Sequence, residues 1–190
     1  MALGKQAKIL TEAQQKVVLS YLAGRRLAQR NTVMFLLSVD AGLRAKEIAA
    51  LDWSMVTDAQ GALTDEIRLQ DRASKGRSGG VVFMSKRLRV ALEALGAGGA
   101  LKGPVMKAQG GRGMGAQTVV NWFFKLYLEL GFYGCSSHSG RRTAITRWAR
   151  KISAAGGSMR DVQSLARHSS LAMTQRYIEV SEDAMRKVVG

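Results

Sequence analysis

The stretch "HSGRRTAITRWARK", residues 138–151, gathers His138, Arg141, Arg142, Arg147, Arg150 and Lys151 without one acidic residue. On a helix, Arg141, Ile145 and Trp148 follow an i, i+4, i+7 spacing and share one face, with His138 one turn earlier on the same side. Arg141 is therefore expected to point toward an apolar interior, where a guanidinium needs a partner and hydrogen bonds. A phosphate would meet that need, because Arg binds its oxygens bidentately and the helix N-terminus near His138 offers N–H groups and a positive dipole end. Two blander readings stay open: Arg141 pairs with a distant acid such as Asp40, Glu47 or Asp52, and Arg147, Arg150 and Lys151 form a solvated face or touch DNA backbone. A second stretch, "SLARHSSLAMTQRYIEV" from Ser164 to Val180, ends one helix, turns through His168, Ser169 and Ser170, and starts another that carries Tyr177. Serine at such a turn can cap the next helix. Alone, this stretch is compatible with helix-turn-helix DNA recognition, or with core packing of Tyr177 beside Met173 and Val180.

Twenty-nine Lys and Arg against fourteen Asp and Glu leave a net charge of +15, and from Ala94 to Arg160 the only acid is Glu129. A polyanion is the partner this implies. Nucleic acid is favoured over anionic lipid, since no long basic amphipathic helix stands apart from the fold. The single cysteine, Cys135, excludes an internal disulfide framework, and two histidines are too few for a zinc site, so no metal is expected. The run "TVMFLLSV", residues 32–39, is about half of what a membrane span needs, and no signal-peptide pattern precedes it. These features predict a cytoplasmic protein with no membrane partner.

The elements that must position these residues are mostly helical. Thr11 with Gln14 forms a capping box, predicting a helix from Glu12 to about Ala28; a second should run from Thr32 to Ala41, closed by a left-handed Gly42. "RAKEIAALDW" predicts a short helix with Ile48 and Leu51 inward and Arg44 in its first turn. "EIRLQD" and "GGVVFMS" read as a β-hairpin whose connection, "RASKGRS", holds Lys75. "SKRLRVALEAL" reads as a helix, and "GAGGALKGPVMKAQGGRGMG" as a loop too rich in glycine to be regular. Further helices are expected over 117–130, 139–152, 158–166, 170–178 and 182–188. The fold class is mainly α with a small antiparallel sheet, α+β, in one domain spanning residues 1–190.

Three stretches in order, "AGLRAKEIAALDW", "HSGRR" and "ARHSSLAMTQRY", resemble the catalytic boxes of the tyrosine recombinase, or phage integrase, family, and the resemblance runs from about Leu10 to Val180. It implies that Arg44 and Arg141 clamp a scissile phosphate, that His138 and His168 supply hydrogen bonds and proton transfer, and that Tyr177 is the nucleophile. Lys75, seven residues before Val82, stands where the family has its mobile hairpin lysine. Glu47 matches a supporting carboxylate near the first arginine, although an i, i+3 pair with Arg44 is a purely structural alternative. Arg167 replaces the usual glycine before the second histidine, Gly140 a usual leucine, and Phe83 a usual proline. Because the pattern begins by Thr11, the chain resembles catalytic-domain-only members that lack the N-terminal DNA-clamping, or core-binding, domain.

The implied chemistry is strand cleavage through a 3′-phosphotyrosyl link with a free 5′-hydroxyl. Fixed guanidinium groups stabilise phosphoryl charge where no metal-ligating carboxylate cluster is available. A phenol of pKa about 10 needs cationic surroundings and a base, for which His138 is the candidate. Lys75 would protonate the leaving oxygen. No cofactor is expected, since "GGRGMG" lacks the Lys-Ser/Thr of a P-loop. Lys107 and Arg112 in the glycine-rich loop, Asn121 and Lys125 on one helix face, and Arg142 and Arg147 are candidate DNA contacts. The expected partner is double-stranded DNA, bound by a homotetramer on paired sites, with a monomer possible without DNA and accessory DNA-binding proteins possible. The setting would be the nucleoid of a bacterium or phage-infected cell. Met185, Val188 and Val189, at helical spacing, would pack on a neighbouring protomer or in cis. Competing functions are a non-catalytic DNA-binding regulator and topoisomerase-like relaxation.

Overall fold

The computed structural model describes residues 6–70, 79–178, 185, 186 and 189. Lys75 and most of the expected last helix lie outside the described residues. The chain divides into two compact units, one running to Ala144 and one from Ile145 onward.

In the first unit, α1 (Glu12–Ala23) opens with the expected capping box: the Gln14 amide donates to Thr11 Oγ1 at 3.2 Å, and the Thr11 amide donates to Gln14 Oε1 at 2.9 Å. It stops at Gly24 instead of reaching Ala28, because glycine lowers helix stability and Leu27 then takes the left-handed conformation, φ 61°. Helix α2 (Ala28–Val39) therefore begins four residues before the expected Thr32. Every residue from Val33 to Val39 is buried, since this helix packs against α1, α3 (Ala45–Ala49) and α4 (Lys86–Gly96). An apolar run without amphipathic periodicity is what a helix covered on several sides needs. Gly42 has the predicted left-handed φ of 63°, and the Leu43 amide returns to the Leu37 carbonyl at 3.0 Å, turning the chain into α3. Ile48 and Leu51 face the core as expected.

The hairpin pairs β1 (Glu66–Leu69) with β2 (Gly80–Phe83) antiparallel, Ile67 opposite Val82, both inward, with Phe83 and Val81 outward. Helix α4 is capped by Ser85 Oγ, which accepts from the Leu88 amide at 3.2 Å. The glycine-rich segment between α4 and α5 (Ala116–Glu129) is more ordered than its composition suggests. Val105, Met106 and Met114 are buried in the core, and Lys107 bridges Gly113 across a tight turn.

Helix α6 (Ser139–Ile152) has the expected bounds and supplies its residues from Ile145 to the second unit. There Ile145, Val162 and Ala166 form a small core, joined by Trp148, Ala149, Ile152, Met159 and Tyr177. Helix α7 (Met159–Ala166) starts at a Ser158–Asp161 capping box, whose hydrogen bonds hold the Asp161 carboxyl below the usual carboxylate range. It ends at Arg167, which is left-handed. Helix α8 (Leu171–Gln175) is shorter than the expected 170–178. Ser170 stands at its N-cap with extended backbone but without a side-chain capping bond, so the expected serine cap is not made. No described helix is long and apolar enough to cross a membrane.

Candidate functional site

Arg141 is 4 % exposed, and its Nη1 donates to the Gly42 carbonyl at 2.6 Å. The acceptor is two residues from Arg44, so two segments 99 residues apart bring both arginines to the turn after α2. Arg44 caps α3 with its backbone, while its Nη1 donates to Glu47 Oε1 at 2.9 Å. Glu47, fully buried, also accepts from the Arg44 amide at 2.8 Å, which fixes the arginine's stem. The Arg44 side chain as a whole is 24 % exposed. His138 is exposed just before α6, its amide donating to Ser136 Oγ at 3.3 Å. Among the described residues, no three His, Cys, Asp or Glu side chains come together as a metal site would require.

In the second unit the His168 and Tyr177 rings stack at 5.3 Å between centroids, 26° from parallel. His168 is buried, with Nδ1 3.0 Å from Thr174 Oγ1 and its carbonyl accepting from Gln163 Nε2 at 3.1 Å. Tyr177 lies past the end of α8. Its amide bonds to the Thr174 carbonyl and its own carbonyl accepts from Thr146 Oγ1 at 3.1 Å. A half-buried tyrosine ring held at both backbone groups has a defined position.

Of the candidate DNA contacts, Lys107, Arg112, Asn121 and Lys125 are exposed, Asn121 Oδ1 accepting from Gln117 Nε2 at 2.9 Å. Arg147 is half-buried. Arg142 differs: its Nη1 donates to the Ala7 carbonyl at 3.1 Å, tying the chain's first described residues to α6. That is a structural use of the guanidinium.

Arg26 and Arg30 stand outside the residues expected to form the site. Arg30 Nη1 donates to the Lys107 carbonyl at 2.9 Å, and Asn31 Nδ2 donates to the Arg26 carbonyl at 3.3 Å. Arg30 thus meets the glycine-rich segment at Lys107, with the Arg26 charge close enough to act on it. Burial, then the nearby Arg26 charge, pushes the Arg30 guanidinium below its ordinary range. The charge run "RRLAQR" was the available signal, but its link to Lys107 is long-range. A separate groove of about 190 Å³, lined by Lys8, Phe132, Tyr133 and Cys135, holds a thiol that burial pushes up in pKa.

This mostly helical α+β arrangement is the fold of tyrosine recombinase catalytic domains. Residues 8–183 match the Phage integrase family, and the chain belongs to it. Among solved structures it is similar to the Tn1549 transposon integrase (residues 82–397) in complex with circular intermediate DNA, at 19 % identity and TM-score 0.73, covering 97 % of this chain and 66 % of that one. XerA recombinase is similar at 20 % identity and TM-score 0.73, covering 99 % and 64 %. A lambda integrase dimer bound to a core site matches at 19 % identity and TM-score 0.66, covering 93 % and 49 %. The chain therefore spans somewhat under two thirds of the first two and about half of the third. No curated protein matches the chain.

Proposed function

We propose that this protein is a site-specific DNA recombinase that cuts and rejoins strands through Tyr177. The observation that carries the reading is the Arg141 guanidinium bonded to the Gly42 carbonyl, two residues from Arg44. Two guanidinium groups fixed near one turn, one braced by a buried carboxylate, suit a phosphate diester whose oxygens gain charge during transfer. Tyr177 Oη forms a bond to phosphorus while the bond to the 5′ oxygen breaks, leaving a 3′-phosphotyrosyl link and a 5′-hydroxyl. The phenolic proton passes to His138, and Lys75 protonates the departing oxygen. If Thr174 donates to His168 Nδ1, the ring proton sits on Nε2, from which His168 donates to a phosphoryl oxygen. The phosphotyrosyl link keeps a diester, so rejoining by the 5′-hydroxyl reverses the step without ATP.

Double-stranded DNA is the substrate, bound by Lys107, Arg112, Asn121, Lys125 and Arg147, with four copies acting on paired sites in the cytoplasm. The family relationship and the DNA bound in two structural neighbours, the Tn1549 transposon integrase and lambda integrase complexes, support this choice. The test is a suicide substrate whose nick lets the short fragment bearing the new 5′-hydroxyl escape, followed by denaturing electrophoresis. The native protein should form a covalent adduct, while Tyr177→Phe should retain DNA affinity and form none. An adduct that survives Tyr177→Phe would require another nucleophile. No adduct from the native protein on its own recombination site, despite tight DNA binding, would favour a non-catalytic regulator.

A further inference from the structure

We propose that Gly140 is a positioning residue for the phosphate clamp, acting with Ser38 to set how closely α6 approaches α2 and so where Arg141 lies. This rests on the recombinase reading above. A Cβ built on Gly140 would fall 2.1 Å from Ser38 Oγ, 2.8 Å from its Cβ and 3.0 Å from its carbonyl carbon. The first two are closer than real Cβ contacts come, and the third leaves a backbone atom to give way. Any side chain at 140 therefore forces α6 off α2. Ser38 is fully buried, and its hydroxyl has no hydrogen-bond partner among the described residues. Its role in this contact is thus its small size. A leucine, which the family resemblance has at 140, does not fit against this α2.

The next residue along α6 is Arg141, and its acceptor, Gly42, lies four residues beyond Ser38. The close contact and the 2.6 Å guanidinium bond are successive links between the same two segments. An outward shift of about 1 Å at position 140 would stretch that bond past the hydrogen-bond range. Misplacement of this size at a catalytic group costs on the order of 100-fold in rate. Gly140 therefore sets the spacing of Arg141 from Arg44 without touching substrate itself.

The test compares the native protein, Gly140→Ala, Ser38→Gly and the double variant, with adduct formation timed at saturating DNA and at a temperature where circular dichroism shows each folded. Gly140→Ala should slow adduct formation at least about tenfold, and Ser38→Gly added to it should recover most of the loss by returning the space. A second substrate carries a methylphosphonate at the scissile link, which lacks the charge the guanidinium groups neutralise. On it the Gly140→Ala defect should shrink to within about threefold, because a misplaced arginine matters less there. An equal defect on both substrates, no defect at all, or no recovery in the double variant overturns the proposal. If the native protein itself forms no adduct, the recombinase reading fails and this inference falls with it.

Discussion

Arg167 holds φ 50° and ψ 50° at the end of α7, and its amide closes the helix by donating to the Gln163 and Ser164 carbonyls. The left-handed region costs an L-residue about 1–2 kcal/mol, and glycine's greater freedom in the unfolded chain returns part of that. Arg167→Gly is therefore expected to raise stability by about 0.5–1 kcal/mol in urea unfolding. A fall would mean that the arginine's own contacts outweigh its backbone strain. The tyrosine recombinase resemblance has glycine at this position, and the arginine keeps glycine's backbone conformation, so the turn that presents His168 survives the exchange. The site was legible in sequence where it is local. Arg44 and Glu47 are three residues apart on a capped helix, and their ion pair follows from that spacing. The bond from Arg141 to Gly42 is not legible, because nothing short-range says which carbonyl a buried guanidinium will find. The same holds for the stack of His168 on Tyr177, whose nine-residue separation gives a match to a pattern but no ring geometry.

At the level of elements, α2 is joined to α4 by a polar clasp at its C-terminal end. Asp40, nearly buried, accepts from Arg87 Nε and Nη2, both at 2.6 Å, and from Ser85 Oγ at 2.6 Å. These bonds push the Arg87 guanidinium further up in pKa, against the opposing effect of burial. Asp40→Ala would leave Ser85 and Arg87 without this shared acceptor. It should cost about 2–3 kcal/mol by urea unfolding, on the scale of hydrogen bonds to charged groups. Arg89→Ala, which removes exposed pairs to Asp65 and Glu93, should leave the midpoint nearly unmoved. If both variants fell equally, the clasp would have no special weight. Helix α6 was read with its observed bounds, since a basic and apolar alternation marks it throughout. The ends of α1 and α2 were misplaced because a glycine and a left-handed leucine broke what composition alone makes continuous. The segment 96–115, expected to be irregular, forms no helix or strand between α4 and α5, but its eleven glycines and alanines hide three buried apolar anchors, Val105, Met106 and Met114.

At the scale of the whole molecule, a net charge of +15 is what the proposed function would use to meet DNA before any chemistry occurs. Each phosphate neutralised by a Lys or Arg releases counterions, and log affinity falls with log salt by about 0.9 per contact. Affinity should therefore drop steeply as salt rises, and a flat response would contradict a polyanion partner. The fold also makes this charge local. Arg30, in the first turn of α2, bonds to the Lys107 carbonyl, and burial together with the charge of Arg26, in the turn between α1 and α2, lowers the Arg30 pKa. A DNA phosphate seated there would relieve the repulsion. Arg26→Glu should then lower the salt slope by about one. Lys16→Glu, the same charge change on an exposed residue in the middle of α1, should lower absolute affinity slightly and leave the slope unchanged. Fluorescence anisotropy with a short duplex, at several salt concentrations, distinguishes the two. Equal changes in slope would mean that the basic charge acts as a diffuse field, and that Arg26, Arg30 and Lys107 do not form a phosphate contact.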